Sequence, residues 1–192
     1  MYTLETKSKS LYSEAKLVKR LQSRRHKDRA FSELLDIYQE RIYWHIRKIV
    51  QTHENANDVL QNVFIRVHKS IDRFEGKSSL LTWIYRIAYN ESLRFIEKEK
   101  KRTHQSFEEV SVYQLGKLTE SEYFDGDELH ERLLTIVEEL SEKQRRVFQM
   151  KYFDDLSFRE ISGVLDISES TLKSSYYAAV KTIEEKILIE TN

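Results

Sequence analysis

Between Phe74 and Arg102 the sequence sets an FEGKSS loop ahead of a helix carrying Trp83, Tyr85, Arg86, Ile87, Tyr89, Asn90 and Arg94, then ends on Lys98, Lys101 and Arg102. Ile87 and Asn90 stand three apart and share a helical face. An amide reads a base edge through both its donor and its acceptor. Apolar and aromatic surfaces hold an unstacked base, and cations suit the phosphates beside it. Gly76 admits a backbone conformation closed to other residues. The chemistry open to this set is the noncovalent capture of nucleic acid. A helix made only to fill a core needs one apolar stripe, and this one has more. Taken singly, Trp83 and Phe74 read as core, Tyr85 and Tyr89 as partly exposed, and Asn90 as an ordinary surface amide.

Bond-making chemistry finds no comparable set. His26, His45, His53, His68, His104 and His130 are scattered without metal-ligand spacing on one helical face. No phosphate-binding loop or nucleophile elbow is present. With no cysteine, disulfides and thiolate metal sites are excluded. The reading is a protein that is not an enzyme and uses no cofactor.

The elements that must position the loop and helix follow from composition and period. The 192 residues include no proline and four glycines, so strong helix breakers are almost absent. Charge is segregated. Residues 1–102 hold 22 basic and 13 acidic side chains, a net of +9, whereas 103–131 hold one and eight, and 132–192 hold nine and eleven. This describes a basic unit, an acidic connector and a nearly neutral unit, and it favours a nucleic-acid partner for the first.

Apolar residues recur at helical spacing from Glu14 to Val50 and again from Asn57 to Ser70, where Val59, Leu60, Val63, Phe64 and Val67 point inward. Ser79 caps the next helix, which runs to about Lys100. From Thr103 to Asp127 the period weakens into a linker with Phe107, Val112, Tyr113 and Leu115 as docking candidates. Ser141 with Gln144 and Ser157 with Glu160 fit the capping-box spacing. Val147, Phe148 and Tyr152 form an apolar face between them. SFREISGVLDISESTLKSSYYAAVKTI then reads as helix, turn and helix. Ile161, Val164 and Leu165 face Leu172, Tyr176, Val180 and Ile183, and Ile167 plugs the turn. In this motif the second helix enters the DNA major groove. The expected fold is all-α, with two small helical domains joined by a linker. The first ten residues have no apolar signal core, and no run approaches membrane-spanning length. The expected location is the cytoplasm, without membrane insertion.

Two blocks combine into a family pattern: DVLQNVFIRVHKSIDRFEGKSSLLTWIYRIAYN and LSEKQRRVFQMKYFDDLSFREISGVLDISESTLKSSYYAAVKTI. The chain resembles the extracytoplasmic-function group of bacterial sigma factors in their two-domain form. The likeness covers about residues 14–102 and 128–188. It implies a domain over 14–102 that binds core RNA polymerase and melts the minus-ten element, an acidic linker over 103–127, and a domain over 128–188 that binds the minus-thirty-five element.

By the same resemblance, Phe74, Gly76, Lys77, Ser78, Ser79, Ile87 and Asn90 form the pocket for a flipped minus-ten base, with Trp83, Arg86 and Arg94 beside it. Asp58, Gln61, Asn62 and Ile65, at i, i+3, i+4 and i+7, form the stripe that docks on the clamp helices of the polymerase's largest subunit. The family usually carries Glu where Asn62 stands. Ser170, Thr171, Lys173, Ser174, Ser175, Tyr177 and Ala178 are the minus-thirty-five readers. Family members commonly have arginines at the positions of Ser175 and Ala178, so an altered sequence preference is expected. The implied partners are core RNA polymerase and promoter DNA, with an anti-sigma factor left open. A repressor that binds duplex DNA unaided explains Ser157–Ile183 but not the FEGKSS loop or the basic first unit. A protein-binding helical scaffold leaves the charge segregation unused.

Overall fold

The computed structural model describes residues 13–103 and 128–190. The expected linker from residue 104 onward, with its docking candidates, lies outside them. Among the described residues every regular element is a helix, as a chain poor in breakers and rich in caps dictates.

The first domain contains α1 (13–21), α2 (Lys27–Val50), α3 (His53–Ser70), a single 3-10 turn (Ile71–Arg73) and α4 (Leu80–Thr103). The apolar series expected from Glu14 to Val50 is broken by a turn at 22–26. Residues 22–29 supply no apolar side chain to continue the stripe. α2 ends at Gln51, which takes the left-handed conformation at φ 67°. α3 starts at Thr52, whose side chain accepts from the Asn55 N–H at 3.1 Å. Leu34, Ile42, Ile46, Val63, Val67, Ile84 and Ala88 are fully buried where α2, α3 and α4 meet. Each large aliphatic side chain among them contributes about 1.5–3 kcal/mol of transfer free energy.

The second domain contains α5 (Glu128–Glu139), α6 (Glu142–Phe148), a π turn (Gln149–Phe153), α7 (Phe158–Leu165) and α8 (Glu169–Glu190). Both expected capping boxes form. At α7 the Ser157 N–H donates to Glu160 Oε2 at 2.8 Å, while Ser157 Oγ accepts from the Glu160 N–H at 3.3 Å. Asp166 closes α7 at φ 59°, a conformation that a short polar side chain tolerates. Ile167 packs against the core, so α7 and α8 form the expected helix-turn-helix. Tyr152 departs from expectation. It is 54% exposed, because the π turn takes it out of phase with Val147 and Phe148.

The two domains pack on each other. One apolar cluster runs from Leu17 and Leu21 through α2, α3 and α4 to Leu156, Ile161, Val164 and Leu172. α7 lies on α4 so closely that a Cβ at Gly163 would stand 3.4 Å from Thr82 Cγ2. This contact overturns the expectation for the α4 tyrosines. Tyr85 is completely buried and Tyr89 is 8% exposed. Arg41 Nε donates to Tyr85 Oη at 3.1 Å, and Arg146 Nη1 donates to Tyr89 Oη at 2.7 Å. Burial, with Asp154 nearby, pushes the Tyr85 phenol above its ordinary range.

Candidate nucleic-acid interface

The loop after α3 is held from a distance. Gln22 Nε2 donates to the carbonyls of Ile71 (3.1 Å) and Phe74 (2.9 Å), and Lys27 pairs with Asp72 at 2.9 Å. Gly76 has φ +69°, with nothing within 4 Å of where a Cβ would stand. The expected glycine conformation is therefore required by the backbone and not by crowding. Ser79 caps α4 by accepting from the Thr82 N–H at 3.1 Å, and Glu14 Oε1 accepts from the Leu80 N–H at 3.0 Å. Gln22 and Glu14 are positioning residues that the sequence reading missed. They act across 49 and 66 residues, where no local pattern points to them.

α4 presents two faces. Tyr85 and Tyr89 turn toward the second domain. Arg86, Asn90 and Arg94, at four-residue intervals, are exposed along another face. Ile87 is half-buried beside that ridge, and the half-buried Trp83 stands 5.2 Å from Phe74, ring centroid to ring centroid. Ser78 and Lys77 are exposed, with Lys77 paired to Glu75. Glu91 draws in Arg94 and, at 3.0 Å, Arg66. Lys98, Lys101 and Arg102 continue the positive charge. The loop and ridge thus place a free amide between an aromatic pair and a line of cations, which suits an extruded base and its flanking phosphates.

On α3, Asp58, Gln61, Asn62 and Ile65 are all exposed. Asn62 Nδ2 donates to the Asp58 carbonyl at 2.9 Å, so this amide is partly occupied by its own helix. Beside the stripe an open cleft of about 410 Å³ is lined by Phe31, Leu35, Leu60, Phe64, Ile65 and His68. A charged rim over an apolar trough suits an incoming helix.

The start of α8 carries mainly hydroxyl groups. Ser168 Oγ lies 2.8 Å from Thr171 Oγ1, and Ser174 Oγ donates to the Ser170 carbonyl at 3.1 Å. Ser170, Lys173, Ser174, Tyr177 and Ala178 are exposed, while Thr171 and Ser175 are half-buried. Lys173 Nζ sits 5.9 Å from the Phe158 ring centroid. Among the described residues no helix is long and apolar enough to cross a membrane. Nor do three or more His, Asp or Glu side chains gather there in a way that could hold a metal ion.

Comparison with known proteins gives the same division of the chain. Residues 34–102 match the model of sigma-70 region 2, and residues 130–183 match that of sigma-70 region 4. The chain is 29% identical to the ECF RNA polymerase sigma factor SigW of Bacillus subtilis over 167 residues, covering 82% of this chain and 89% of that protein. It is 28% identical to the ECF RNA polymerase sigma-E factor of Escherichia coli over 179 residues, covering 89% and 92%. Among solved structures, CnrH in complex with the cytosolic domain of CnrY matches with a TM-score of 0.67 at 16% identity, over 93% of this chain and 98% of that one. The sigma factor RpoE bound to the anti-sigma factor NepR, from Bartonella quintana, matches with a TM-score of 0.65 at 18% identity, over 83% and 97%. These two likenesses concern the fold. With region 2 on the basic domain and region 4 on the helix-turn-helix domain, the chain belongs to the extracytoplasmic-function group of sigma-70 factors.

Proposed function

We propose that this sigma factor binds core RNA polymerase through the α3 stripe, captures a minus-ten base in the loop–α4 pocket and reads the minus-thirty-five element with the start of α8. Directing the polymerase to promoters and starting transcription is the function of its family, and the chemistry here is wholly noncovalent. The work belongs in the cytoplasm, where polymerase and promoter are.

The observation that carries the division of labour is the exposed Arg86–Asn90–Arg94 ridge beside a loop pinned by Gln22 and Glu14. Opening a duplex costs a few kcal/mol per unstacked base, which a preformed pocket offsets. Asn90 supplies a donor and an acceptor to the base edge. Phe74, Trp83 and Ile87 supply apolar surface, and Arg86 and Arg94 supply counter-charge. Glu91 holds Arg94 until phosphate replaces it. Gly76 lets the loop bend with no side chain in the way. On α8, Lys173 is the one cation between Ser168 and Val180, so recognition there rests mainly on hydroxyls, the Ala178 methyl and Tyr177.

The docking assignment is tested by Asp58→Arg combined with Gln61→Ala. Both side chains face solvent, so the fold should keep its melting temperature. Association with core polymerase, measured by fluorescence anisotropy, should weaken by about tenfold or more, as expected for reversing a charge at an interface. Unchanged association would move the docking surface elsewhere.

A further inference from the structure

Asp154 serves neither DNA-facing helix, yet its side chain is 3% exposed. Both partners of its carboxylate belong to the other domain. His45 Nδ1 lies 2.6 Å from one oxygen and Lys48 Nζ lies 2.5 Å from the other. The Asp154 carbonyl accepts from Arg41 Nη2. Arg41, His45 and Lys48 fall at i, i+4 and i+7, one face of α2 turned wholly toward the second domain. A second polar contact, Arg146 to Tyr89, lies along the same seam. Between the two, a cavity of about 130 Å³ lined by His45, Tyr89, Leu93, Met150 and Asp154 leaves the seam incompletely filled. Such a contact is built to part. Once open, every charge in it returns to water, and only removal of a partner in the closed form strands a buried charge.

The closed form cannot span a promoter. Lys173 touches Phe158 at the start of α7, Gly163 of α7 touches Thr82, and Asn90 lies two turns further along α4. At 1.5 Å per helical residue, that path joins the two DNA-facing sites within roughly 40 Å. Elements named for positions minus ten and minus thirty-five lie about 25 base pairs apart, or about 85 Å along duplex DNA.

We propose that Asp154, gripped by Arg41, His45 and Lys48, latches the two domains in a closed resting state that must open before one promoter can engage both DNA-facing helices. The latch rests on the function proposed above, and it makes the supply of competent sigma a conformational equilibrium. A partner that needs the open form binds with an affinity reduced by the fraction of open chains.

The native chain has no cysteine, so a single engineered disulfide can hold the seam shut. Thr82→Cys with Gly163→Cys places the two β-carbons within reach of a disulfide. The reduced double variant should direct transcription by core polymerase, which checks the sigma reading separately. After oxidation, transcription from a duplex promoter should fall by about tenfold or more and return with reductant. Undiminished transcription from the cross-linked chain overturns the latch. So does failure of the disulfide to form, because the closed packing would then not be populated. In the otherwise native chain, Asp154→Asn should tighten the apparent affinity for core polymerase by about threefold or more. An unchanged affinity in a folded variant contradicts the proposal.

Discussion

α4 and α8 both face DNA but are equipped differently. α4 offers a free amide, an aromatic pair, a glycine-bent loop and a run of exposed cations. α8 offers hydroxyls, one lysine and an exposed tyrosine, on a nearly neutral domain. Neutralising phosphates provides most of the affinity for duplex DNA, and that term scales with the number of cations. The second domain therefore selects among promoters more than it holds them. Holding and opening fall to the first domain and to the polymerase it brings.

The largest effect that would break the comparison concerns the tyrosines. Tyr85 is completely buried and hydrogen-bonded, so Tyr85→Ala should cost about 3–5 kcal/mol of stability in chemical denaturation. Tyr177 is 64% exposed, and Tyr177→Ala should change stability by no more than about 0.5 kcal/mol while weakening binding to the minus-thirty-five element. A small loss at Tyr85 would mean that the second domain does not cover α4 in solution.

Next in size is Lys173→Ala. If Lys173 reads a guanine edge, the loss should be about 1–3 kcal/mol and confined to promoters carrying that base. Its early place on α8, where this motif reaches into the groove, favours the base contact. A uniform loss across a randomised minus-thirty-five library, with a salt slope shallower by about 1, would make it a phosphate contact and would place some holding in the second domain.

The features that were legible in the sequence are local ones. The Ser157–Glu160 box, the Ser79 cap, the Gly76 bend and the helix-turn-helix each declare themselves within a few residues. The misreadings arise where distant segments meet. Tyr85 looks like a surface aromatic until α7 covers it, and Tyr152 looks like core until a π turn shifts its phase. Asp154 and His45 are 109 residues apart, so nothing in either neighbourhood announces a buried pair. Gln22 escapes notice for the same reason, since it reaches back to a loop 49 residues away.

The smallest expected effect depends on pH and is confined to the second domain. Burial pushes the Glu138 carboxyl up to about 7, with Arg145 working in the opposite direction. Its folded-state pKa is raised, so the folded chain binds more protons than the unfolded chain, and stability falls as pH rises from about 4.5 to 7. Glu138→Gln should remove that decline. At pH 8 it should raise the melting temperature by less than about 4 °C and at pH 4.5 hardly at all. A gain only at low pH would reverse the sign. By contrast, burial alone would raise the Asp154 carboxyl, but His45 and Lys48 overcome it and hold the group below its ordinary range. Its contribution to the seam is then present throughout neutral pH and is lost only in acid, as pH falls below the ordinary carboxylate range.

The central claim is that strand capture belongs to the loop–α4 pocket. Its most direct test is the fluorescence of 2-aminopurine placed at the minus-ten position of a duplex promoter, followed after adding core polymerase with the native chain or with Asn90→Ala. The native complex should give a rise in fluorescence as the base leaves the stack. Asn90→Ala should bind polymerase with unchanged affinity yet lose most of that rise, and a premelted promoter should restore it only in part. A full rise with Asn90→Ala on duplex DNA would contradict the account and place the capture site elsewhere.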